Sequence, residues 1–285
     1  MPLVSIIVPA YNRQQSLARA IESILNQTLQ DFEIIVVDDG STDNTRAIGQ
    51  ELVLRDSRIR LICHEKNRGA QAARNTGARS ANGDWLNFFD SDDWMLPTSV
   101  ETRLTVARNR GVKVVHSDAF VLRPNRDRAL FGMPPLSGYI YEALLRAPGP
   151  MFQAMIVSAD VLHEIGDLDE NVIAYQEWDT AIRLARNHAF GFVPEPTFVY
   201  DCMGSDTMSR NLIKSAAGYE YIVSKNFAEI LLRVGPKAIS QHYELIASHY
   251  AQAGAPDLAT KSKLKSFLWW PNPKRAVRKL RSALV

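Results

Sequence analysis

The apolar residues in the first half of the chain follow two alternating spacings. Short runs in which nearly every residue is apolar end at proline or aspartate, as residues 4–8 do before Pro9. Between the runs, apolar residues recur every three or four positions, as Leu17, Ile21 and Ile24 do. The first spacing predicts buried strands and the second predicts helices. The predicted strands are residues 4–8, 32–37, 59–63 and 85–89, and the predicted helices are residues 17–25, 43–54, 71–80 and 98–110.

Strands that are apolar on both faces and are separated by helices predict an α/β fold with a mostly parallel sheet covered on both sides. The helix at 71–80 carries a face of small residues that includes Ala73 and Gly77, so we expect it to lie very close to the sheet. Ligands of such sheets bind beyond the carboxyl ends of the strands. Polar residues collect at these ends, which predicts the functional site there. They are residues 11–12, 38–39 and 90–93.

The second half of the chain gives a weaker pattern. Residues 112–117 predict another strand, and from about residue 122 to 153 proline and glycine become frequent, which predicts a long loop or a small subdomain. A helix is predicted around Trp178, and two short strands are predicted around residues 194–196. From about residue 211 the pattern is helical to the end of the sequence.

The composition is that of an ordinary folded protein. The 285 residues are 46% hydrophobic and 22% charged, which excludes wholly disordered and fibrous classes. Cys63 and Cys202 are the only cysteines, too few for a disulfide framework or a cysteine-rich zinc site, and they fit a reducing compartment. No apolar run approaches the roughly 18 residues that a spanning helix needs, and we expect no secretory signal because a basic n-region is missing.

Charge is distributed unevenly along the chain. The sequence holds 33 basic and 31 acidic residues, but no acidic residue follows Asp257. Eight basic residues do follow it: Lys261, Lys263, Lys265, Lys274, Arg275, Arg278, Lys279 and Arg281. The first 257 residues therefore hold 25 basic and 31 acidic residues. An acidic body with a basic tail predicts an anionic partner for the tail.

Three carboxylates lie within four residues after the fourth predicted strand. Asp90, Asp92 and Asp93 repel one another unless they share a cation or point into water. Mg²⁺ and Mn²⁺ take oxygen ligands, commonly one or two carboxylates together with substrate phosphates. The alternative is a solvated turn before the next helix. The position after a buried strand, at the expected ligand edge, favours the metal site.

A second acidic segment, residues 38–43, ends the second predicted strand. One interpretation is a tight turn with a helix N-cap, and the other is a carboxylate that binds a nucleotide base or ribose. No G-x-G-x-x-G segment follows the first strand, and the sequence has no Walker A loop. The diphosphate of a bound nucleotide would therefore need a metal ion instead of a glycine-rich cradle.

Four segments follow one another over roughly a hundred residues and together resemble a known family. They read VSIIVPAYN at residues 4–12, VVDDGSTD at 36–43, NRG to ARNTG at 67–77 and GDWLNFFDSDD at 83–93. In this order they resemble the family 2 glycosyltransferases with a GT-A fold, and a fainter resemblance continues to about residue 209.

The resemblance implies a Rossmann-like, mostly parallel sheet flanked by helices, with a helical C-terminal extension. It implies a catalytic domain at residues 1–210, with a nucleotide-sugar half at about 1–118 and an acceptor half at about 119–210. Residues 211–285 would form the helical region, which includes a basic amphipathic tail at 261–285. The implied reaction is an inverting transfer of a sugar from a nucleotide sugar, commonly a UDP-sugar, to a hydroxyl.

The family's residues for the nucleoside also have counterparts in this sequence. Asp39 stands where the family has the acid that binds the base. Pro9, Ala10 and Tyr11 match the loop beside that base. Arg74 matches a contact to the diphosphate or the base, and the alternative for it is an arginine on the helix surface.

The family's D-x-D motif maps onto the acidic cluster. Asp90 matches its first acid, near the ribose or diphosphate, and Asp92 matches the ligand of a Mn²⁺ or Mg²⁺ cofactor. Asp93 could exchange roles with Asp92. Many relatives also carry a histidine after the last strand, but residues 200–209 contain none, so any histidine contact to the metal or diphosphate is missing or comes from elsewhere.

An inverting displacement needs a carboxylate that takes the proton of the acceptor hydroxyl. In the family this base is usually the Asp of a Glu-Asp pair that opens a helix, and the sequence here is Gln176-Glu177-Trp178-Asp179. The resemblance makes Glu177 the catalytic base, with Gln176 in place of the usual Glu. Asp179 is the rival, and either acid could instead be a first-turn residue stabilised by the helix dipole.

The tail predicts a peripheral membrane protein. Leu264, Phe267 and Leu268 share a helical face, two tryptophans follow, and a basic amphipathic helix is predicted from about residue 274. Such a segment suits an anionic membrane surface, and the alternative is a helix packed on the acidic body. We therefore expect a cytoplasmic enzyme on the inner face of the plasma membrane, with a glycan or lipid-linked acceptor in surface polysaccharide biosynthesis. No nucleic-acid partner is expected because no recognised module accompanies the charge.

Two other functions remain possible from the sequence. One is a non-catalytic protein of the same fold that binds sugar nucleotides or assists assembly, which the departure at Gln176 supports. The other is a phosphatase or nucleotidyltransferase that uses the acidic cluster. The haloacid-type phosphatase motif lies at the first strand, whereas this cluster follows the fourth, which argues against that class.

Overall fold

The computed structural model describes residues 1–123, 127–202 and 211–271. The chain divides into two compact units by its internal contacts. The first unit comprises the described residues of Met1–Tyr141, Gly149–Asn171 and Gln176–Thr207. The second comprises the described residues of Glu142–Pro148, Val172–Tyr175 and Met208–Val285. The division predicted from the family resemblance, at residue 210, stays a prediction.

One mixed sheet of nine strands lies in the described part of the first unit. The strands are β1 Val4–Ala10, β2 Phe32–Asp38, β3 Ile59–Cys63, β4 Trp85–Phe88, β5 Trp94–Met95, β6 Val114–Leu122, β7 Arg128–Phe131, β8 Ile156–Ser158 and β9 Phe190–Tyr200. Their order is β3-β2-β1-β4-β8-β6-β9-β5, with β7 paired to β6. Strands β1 to β4 pair in parallel, and β8 is antiparallel to both of its neighbours.

Every residue of β1 and β2 is buried, which explains why both strands are almost continuously apolar. The helices of the first unit are α1 Leu17–Leu25, α2 Thr45–Arg55, α3 Ala70–Arg79, α4 Ser99–Arg110, α6 Ala159–Glu164 and α7 Gln176–Ala185. The close approach predicted for α3 is confirmed, because a Cβ added at Gly77 would collide with the side chain of Ile7 on β1. The predicted α/β alternation is therefore present from β1 to α4.

The later part of the first unit differs from the sequence-based prediction. The two short strands predicted around residues 194–196 form one strand, β9, which follows β6 in parallel. Its register shifts opposite Asp118, near Pro194 and Pro196, where a proline can be tolerated because the ladder is already irregular. The predicted loop at about 122–153 contains β7 and a short helix, α5 Tyr141–Leu144.

The described part of the second unit is helical. Its elements are α8 Leu212–Lys225, α9 Phe227–Glu229, a π-helical turn at Ile230–Val234, α10 Pro236–Gln252 and α11 Pro256–Trp269. A buried polar chain ties the unit together, because the Tyr219 hydroxyl lies 2.9 Å from His242 Nδ1 and His242 Nε2 lies 2.9 Å from the Leu145 carbonyl. The helix predicted from about residue 274 lies outside the described residues. None of the described helices has both the length and the apolar character that crossing a bilayer demands.

Candidate functional site

The parallel register brings the carboxyl ends of β1, β2 and β4 to one edge of the sheet. Ala10 pairs with Asp38, and Ile7 pairs with Phe88. The chain continues this alignment past the strand ends, since the Asp39 amide donates to the Ala10 carbonyl at 2.8 Å. The segments that follow these three strands therefore lie together, as the sequence predicts.

The loops after β1 and β2 are tied by Asn12. Its backbone amide donates to Ser41 Oγ at 3.0 Å, and its Oδ1 accepts from the Thr42 amide at 2.9 Å. Asn12 has a φ of 54°, a left-handed conformation that costs energy for a residue with a Cβ and is common at functional sites. Pro9 and Ala10 are buried, whereas 41% of Tyr11 is exposed. Of the three residues predicted beside the base, Tyr11 alone presents its side chain to solvent.

Asp39 is buried and holds the segment between β3 and α3. Its Oδ1 lies 2.6 Å from His64 Nδ1 and accepts from the Arg68 amide at 2.9 Å, and its Oδ2 accepts from the Gly69 amide at 2.8 Å. Gly69 has a φ of 95°, which glycine adopts without strain. Both oxygens of the predicted base-binding acid are therefore engaged by the protein, and contact with a base stays a prediction.

The three carboxylates of the acidic cluster after β4 lie close together. One oxygen from each of Asp90, Asp92 and Asp93 lies within 4.8 Å of the others. Asp93 is buried, and its two oxygens accept from Gln153 Nε2 at 2.8 Å and the Asp201 amide at 2.8 Å. Asp92 is half-buried, and its Oδ2 lies 3.3 Å from an Arg13 guanidinium nitrogen. Asp92 is thus more accessible to an incoming ion, and Asp93 is anchored to the protein.

The cluster carries an electrostatic penalty that a cation would relieve. Burial and the charges of Asp90 and Asp92 raise the pKa of Asp93 well above its ordinary value. Burial and the charge of Asp90 also raise the pKa of Asp92, and Arg13 partly offsets that rise. Carboxylate oxygens are the ligands that hard divalent cations take, so the residues present fit Mg²⁺ or Mn²⁺.

Arg74 connects the acidic cluster to the start of α7. It is only 4% exposed, so the alternative of a surface arginine is wrong. Its guanidinium donates to Asp90 Oδ1 at 2.7 Å and to Gln176 Oε1 at 2.7 Å, and it stacks 4.6 Å from the centre of the Phe152 ring. The Gln176 that departs from the family pattern is therefore part of a buried network.

Glu177 lies in the first turn of α7, next to Gln176, and is half-buried. Burial raises its pKa, and the negative charge of Asp90 adds to the rise, whereas the positive charge of Arg74 opposes it. Asp179 on the same helix is only 1% exposed and lies 3.9 Å from Arg183. Of the two candidate bases, Glu177 is therefore the one that is exposed to solvent.

Sequence reasoning missed several residues around the cluster. Gln153 donates from Nε2 to Asp90 Oδ2 at 2.7 Å as well as to Asp93, although it lies about sixty residues further along the chain. Arg19 donates to the Asp92 carbonyl at 2.6 Å and lies 4.5 Å from the centre of the Trp94 ring. Arg13 directly follows the first family motif, which is the one signal that could have identified it; Gln153 and Arg19 have none.

Residues 5–132 match the sequence profile described as Glycosyl transferase family 2. The UDP-Glc:alpha-D-GlcNAc-diphosphoundecaprenol beta-1,3-glucosyltransferase WfgD of Escherichia coli is 36% identical over 147 residues, which cover 52% of this chain and 56% of WfgD. The aligned segments span about half or less of the length of the curated relatives that match first.

Two solved structures share the fold over most of the chain. Residues 1–349 of S. aureus TarS in complex with UDP-GlcNAc superpose with a TM-score of 0.67 at 16% identity, covering 92% of this chain and 90% of that one. The mannosyltransferase PcManGT of Pyrobaculum calidifontis, in complex with GDP-Man and Mn²⁺, superposes with a TM-score of 0.65 at 19% identity, covering 99% and 80%. These likenesses confirm the predicted fold class, with its helical C-terminal region.

Proposed function

Because residues 5–132 match the profile of glycosyl transferase family 2, we propose that the chain is an inverting glycosyltransferase of the hexosyltransferase type. It transfers a sugar from a nucleotide-sugar donor to an acceptor hydroxyl. The observation that carries the proposal is the buried network in which Arg74 bonds both Asp90 of the acidic cluster and Gln176 at the start of α7. This network links the predicted diphosphate side of the site to the helix that bears Glu177.

On the donor side, Asp92 and Asp90 would hold a divalent ion, and Asp93 would keep the turn in place through Gln153 and the Asp201 amide. A bound Mn²⁺ or Mg²⁺ supplies positive charge that stabilises a departing nucleoside diphosphate. The exposed ring of Tyr11 stacks on the base, beside the backbone of Pro9 and Ala10. Asp39 shapes this end of the site by holding residues 64–69.

On the acceptor side, Glu177 takes the proton of the attacking hydroxyl. Its raised pKa suits this role, because a stronger base accepts a proton more readily. The carboxylates of Glu177 and Asp90 repel each other, and the positive charge of Arg74 reduces this repulsion. General-base assistance of this kind typically contributes about 10²–10⁴-fold in rate.

The relatives support a proposal for the substrates. WfgD is named for a UDP-Glc donor and a diphosphoundecaprenol-linked acceptor, and the TarS structure holds UDP-GlcNAc. We therefore assign a UDP-sugar as donor and a glycan or lipid-linked glycan of surface polysaccharide biosynthesis as acceptor. PcManGT holds GDP-Man, so GDP-sugars belong in the same screen. With a lipid-linked acceptor, the proposed location is the cytoplasmic side of the plasma membrane.

The test is a screen of nucleotide sugars with Mn²⁺, with and without candidate acceptors, that measures nucleoside diphosphate release. Glu177→Gln should lose about 10²–10⁴-fold in turnover and keep donor affinity, measured by calorimetry. Asp160→Asn is the matched control, since Asp160 is an exposed acid whose partners, Lys113 and Ser158, lie elsewhere on the first unit. Turnover unchanged by Glu177→Gln would show that Glu177 is not the base.

The second candidate, a non-catalytic sugar-nucleotide binding protein of the same fold, gives a different result in the same screen. The residue at position 176 is the observation that supports it, because Gln176 replaces the usual family acid. Donor binding by the parent chain without diphosphate release, for every donor and acceptor tried, would favour this candidate and overturn the proposed reaction.

A further inference from the structure

Helix α11 packs with its faces reversed relative to an ordinary amphipathic helix. The residues that it buries are small, namely Ala259, Ser262 and Ser266. Its large apolar residues point outward, since Leu264 is 62% exposed, and Leu268 is 77% exposed. A surface helix normally turns its apolar stripe to the core and its polar residues to water. The outer surface of α11 therefore needs an explanation that packing among the described residues does not supply.

The inner contacts hold α11 in this orientation. Ser266 Oγ lies 2.9 Å from Ser240 Oγ on α10, and both side chains are buried. Lys265 donates to Glu220 Oε1 at 2.9 Å. Trp269 lies 5.0 Å from Phe227, ring centre to ring centre. Turning the leucines inward would bury them at the cost of these polar contacts, and buried hydroxyls without partners are destabilising.

The outward apolar residues form one patch with basic edges. We define the α11 outer face as Lys261, Lys263, Leu264, Phe267, Leu268 and Trp270, all of which are exposed. Lys261 and Lys263 form no ion pair with any residue that the structure describes. At 100° per residue the two lysines lie on opposite sides of Leu264, because they are three and one positions before it. Beyond Pro271 the sequence adds five more basic residues and no acidic one.

We propose that the α11 outer face binds the surface of an anionic lipid bilayer. Its leucines and Phe267 enter the boundary between headgroups and acyl chains, Trp270 lies at that boundary, and the two lysines contact anionic headgroups. This inference goes beyond the proposed reaction and does not depend on it, because binding to a bilayer needs no turnover.

The charge of the face selects a bilayer over a second copy of the chain. A pair of identical faces would bring two cationic rims together without acidic partners, since no acidic residue follows Asp257 near the start of α11. Anionic headgroups provide the opposite charge, and acyl chains provide the apolar medium that Leu264 and Leu268 lack in water. The face is thus complementary to an anionic bilayer in its charge and in its apolar character.

The proposal is tested by co-sedimentation of the full chain with phosphatidylcholine vesicles, with and without a third of phosphatidylglycerol. The parent chain should pellet with the anionic vesicles. Leu264→Gln/Leu268→Gln should bind more than about tenfold more weakly, because two leucines no longer leave water. Lys261→Gln/Lys263→Gln should lose about fivefold for each lysine at low salt, since each cation near such a surface contributes about 1 kcal/mol.

Control variants carry the same kinds of substitution elsewhere on the surface. Leu54→Gln alters a leucine that is 88% exposed, and Arg55→Gln/Arg108→Gln removes two exposed cations. These controls should bind like the parent chain, and all variants should unfold at similar temperatures because every substituted side chain is exposed. Vesicle binding of Leu264→Gln/Leu268→Gln equal to that of the parent would overturn the proposal. So would a parent chain that ignores vesicles but forms a dimer, by light scattering, that this variant abolishes.

Discussion

Two pairs of neighbouring aspartates follow buried parallel strands at the same edge of the sheet, and the protein treats them in opposite ways. At the end of β2, Asp38 and Asp39 are both fully buried and receive donors from backbone amides, from Arg46 and from His64. At the end of β4, Asp92 is half-buried and has a single arginine at 3.3 Å, with Asp90 and Asp93 close by. Both acids of the first pair accept hydrogen bonds from the chain. In the second pair Asp93 also accepts from Gln153 and the Asp201 amide, whereas Asp92 lies beside Arg13 and two further carboxylates.

The difference teaches how to tell a structural acid from one that is held ready for a ligand. Both pairs have the same local sequence context, an apolar strand followed by adjacent aspartates. What separates them is the charge beside the carboxylates: Asp38 lies 2.9 Å from Arg46, whereas Asp92 has two further carboxylates within 4.8 Å as well as Arg13. Burial and the neighbouring carboxylates raise the pKa of Asp92 and of Asp93, and a cation beside them would offset this repulsion.

The largest expected effect is on turnover. Asp92→Asn should lower the rate of diphosphate release by about 10³-fold or more, because a cation that stabilises developing charge is worth several kcal/mol. The unfolding temperature without divalent ions should stay the same or rise, since the change removes a charge from a repulsive cluster. Enzyme assays and calorimetric scans of the same preparation check both parts. A variant with full Mn²⁺-dependent turnover would remove Asp92 from the list of ligands.

Substitution of Asp39, at the end of β2, is expected to lower stability instead of leaving it unchanged or raising it. Asp39→Asn should lower the free energy of unfolding by about 2–3 kcal/mol, because a buried carboxylate that accepts from two amides and lies against His64 is replaced by a group with half its acceptors. Denaturant titration measures this loss. If the variant is as stable as the parent chain but no longer binds the donor, Asp39 is a ligand for the base and the contrast between the two pairs fails.

A smaller effect is expected when pH is varied without divalent ions. Burial and the charge of Asp90 raise the pKa of Asp92 above 3.8, so the folded state keeps a proton that the unfolded chain has lost. The resulting penalty is absent below the unfolded pKa and grows as pH rises through the folded pKa. Asp92→Asn should therefore gain in unfolding temperature over the parent at pH 7.5 and show little difference at pH 4. If the gain in unfolding temperature became smaller as pH rises, the pKa of Asp92 would be lowered by folding instead of raised.

The smallest expected effect concerns Arg13, which partly satisfies Asp92. Arg13→Gln should change the free energy of unfolding by less than about 1 kcal/mol, because the ion pair is partly exposed. It should tighten Mn²⁺ binding a few-fold, since the ion no longer competes with a guanidinium. Titration calorimetry with Mn²⁺ alone measures this. Arg110→Gln, on an exposed arginine bonded to Ser137 instead of to the cluster, is the control that should leave Mn²⁺ affinity unchanged.

The sequence predicts the donor edge well because its elements are contiguous. Mainly apolar runs mark β1 to β4, and the acids of the site lie at or just after the ends of β2 and β4. Arg74 is harder to place from sequence, since a charged residue on a helix usually faces water, and here the inner face of α3 carries Gln71 and Arg74 toward the site. Gln153 could not be found at all, because a polar residue in an irregular stretch gives no periodic signal.

Strands β8 and β9 are also difficult to predict from local sequence. Strand β8 has three residues, too few for any period to be seen, and it is placed by its antiparallel neighbours β4 and β6. The two prolines of β9 read as an interruption, yet the strand continues because β6 shifts register beside them. In each case the information lies in contacts between distant segments, which local spacing does not contain.

The double hydrogen bond from Gln153 to Asp90 and Asp93 has a practical consequence for dissecting the protein. The segment that matches the family ends at residue 132, before Gln153, β8 and β9. A fragment that ends there would keep the aspartates of the motif, but β4 would become an unpaired edge strand. Asp90 and Asp93 would also lose the hydrogen bonds from Gln153. Such a fragment should contain the aspartate motif but fail to keep the aspartates in their positions. The bounds of the family match are therefore not the bounds of a functional domain.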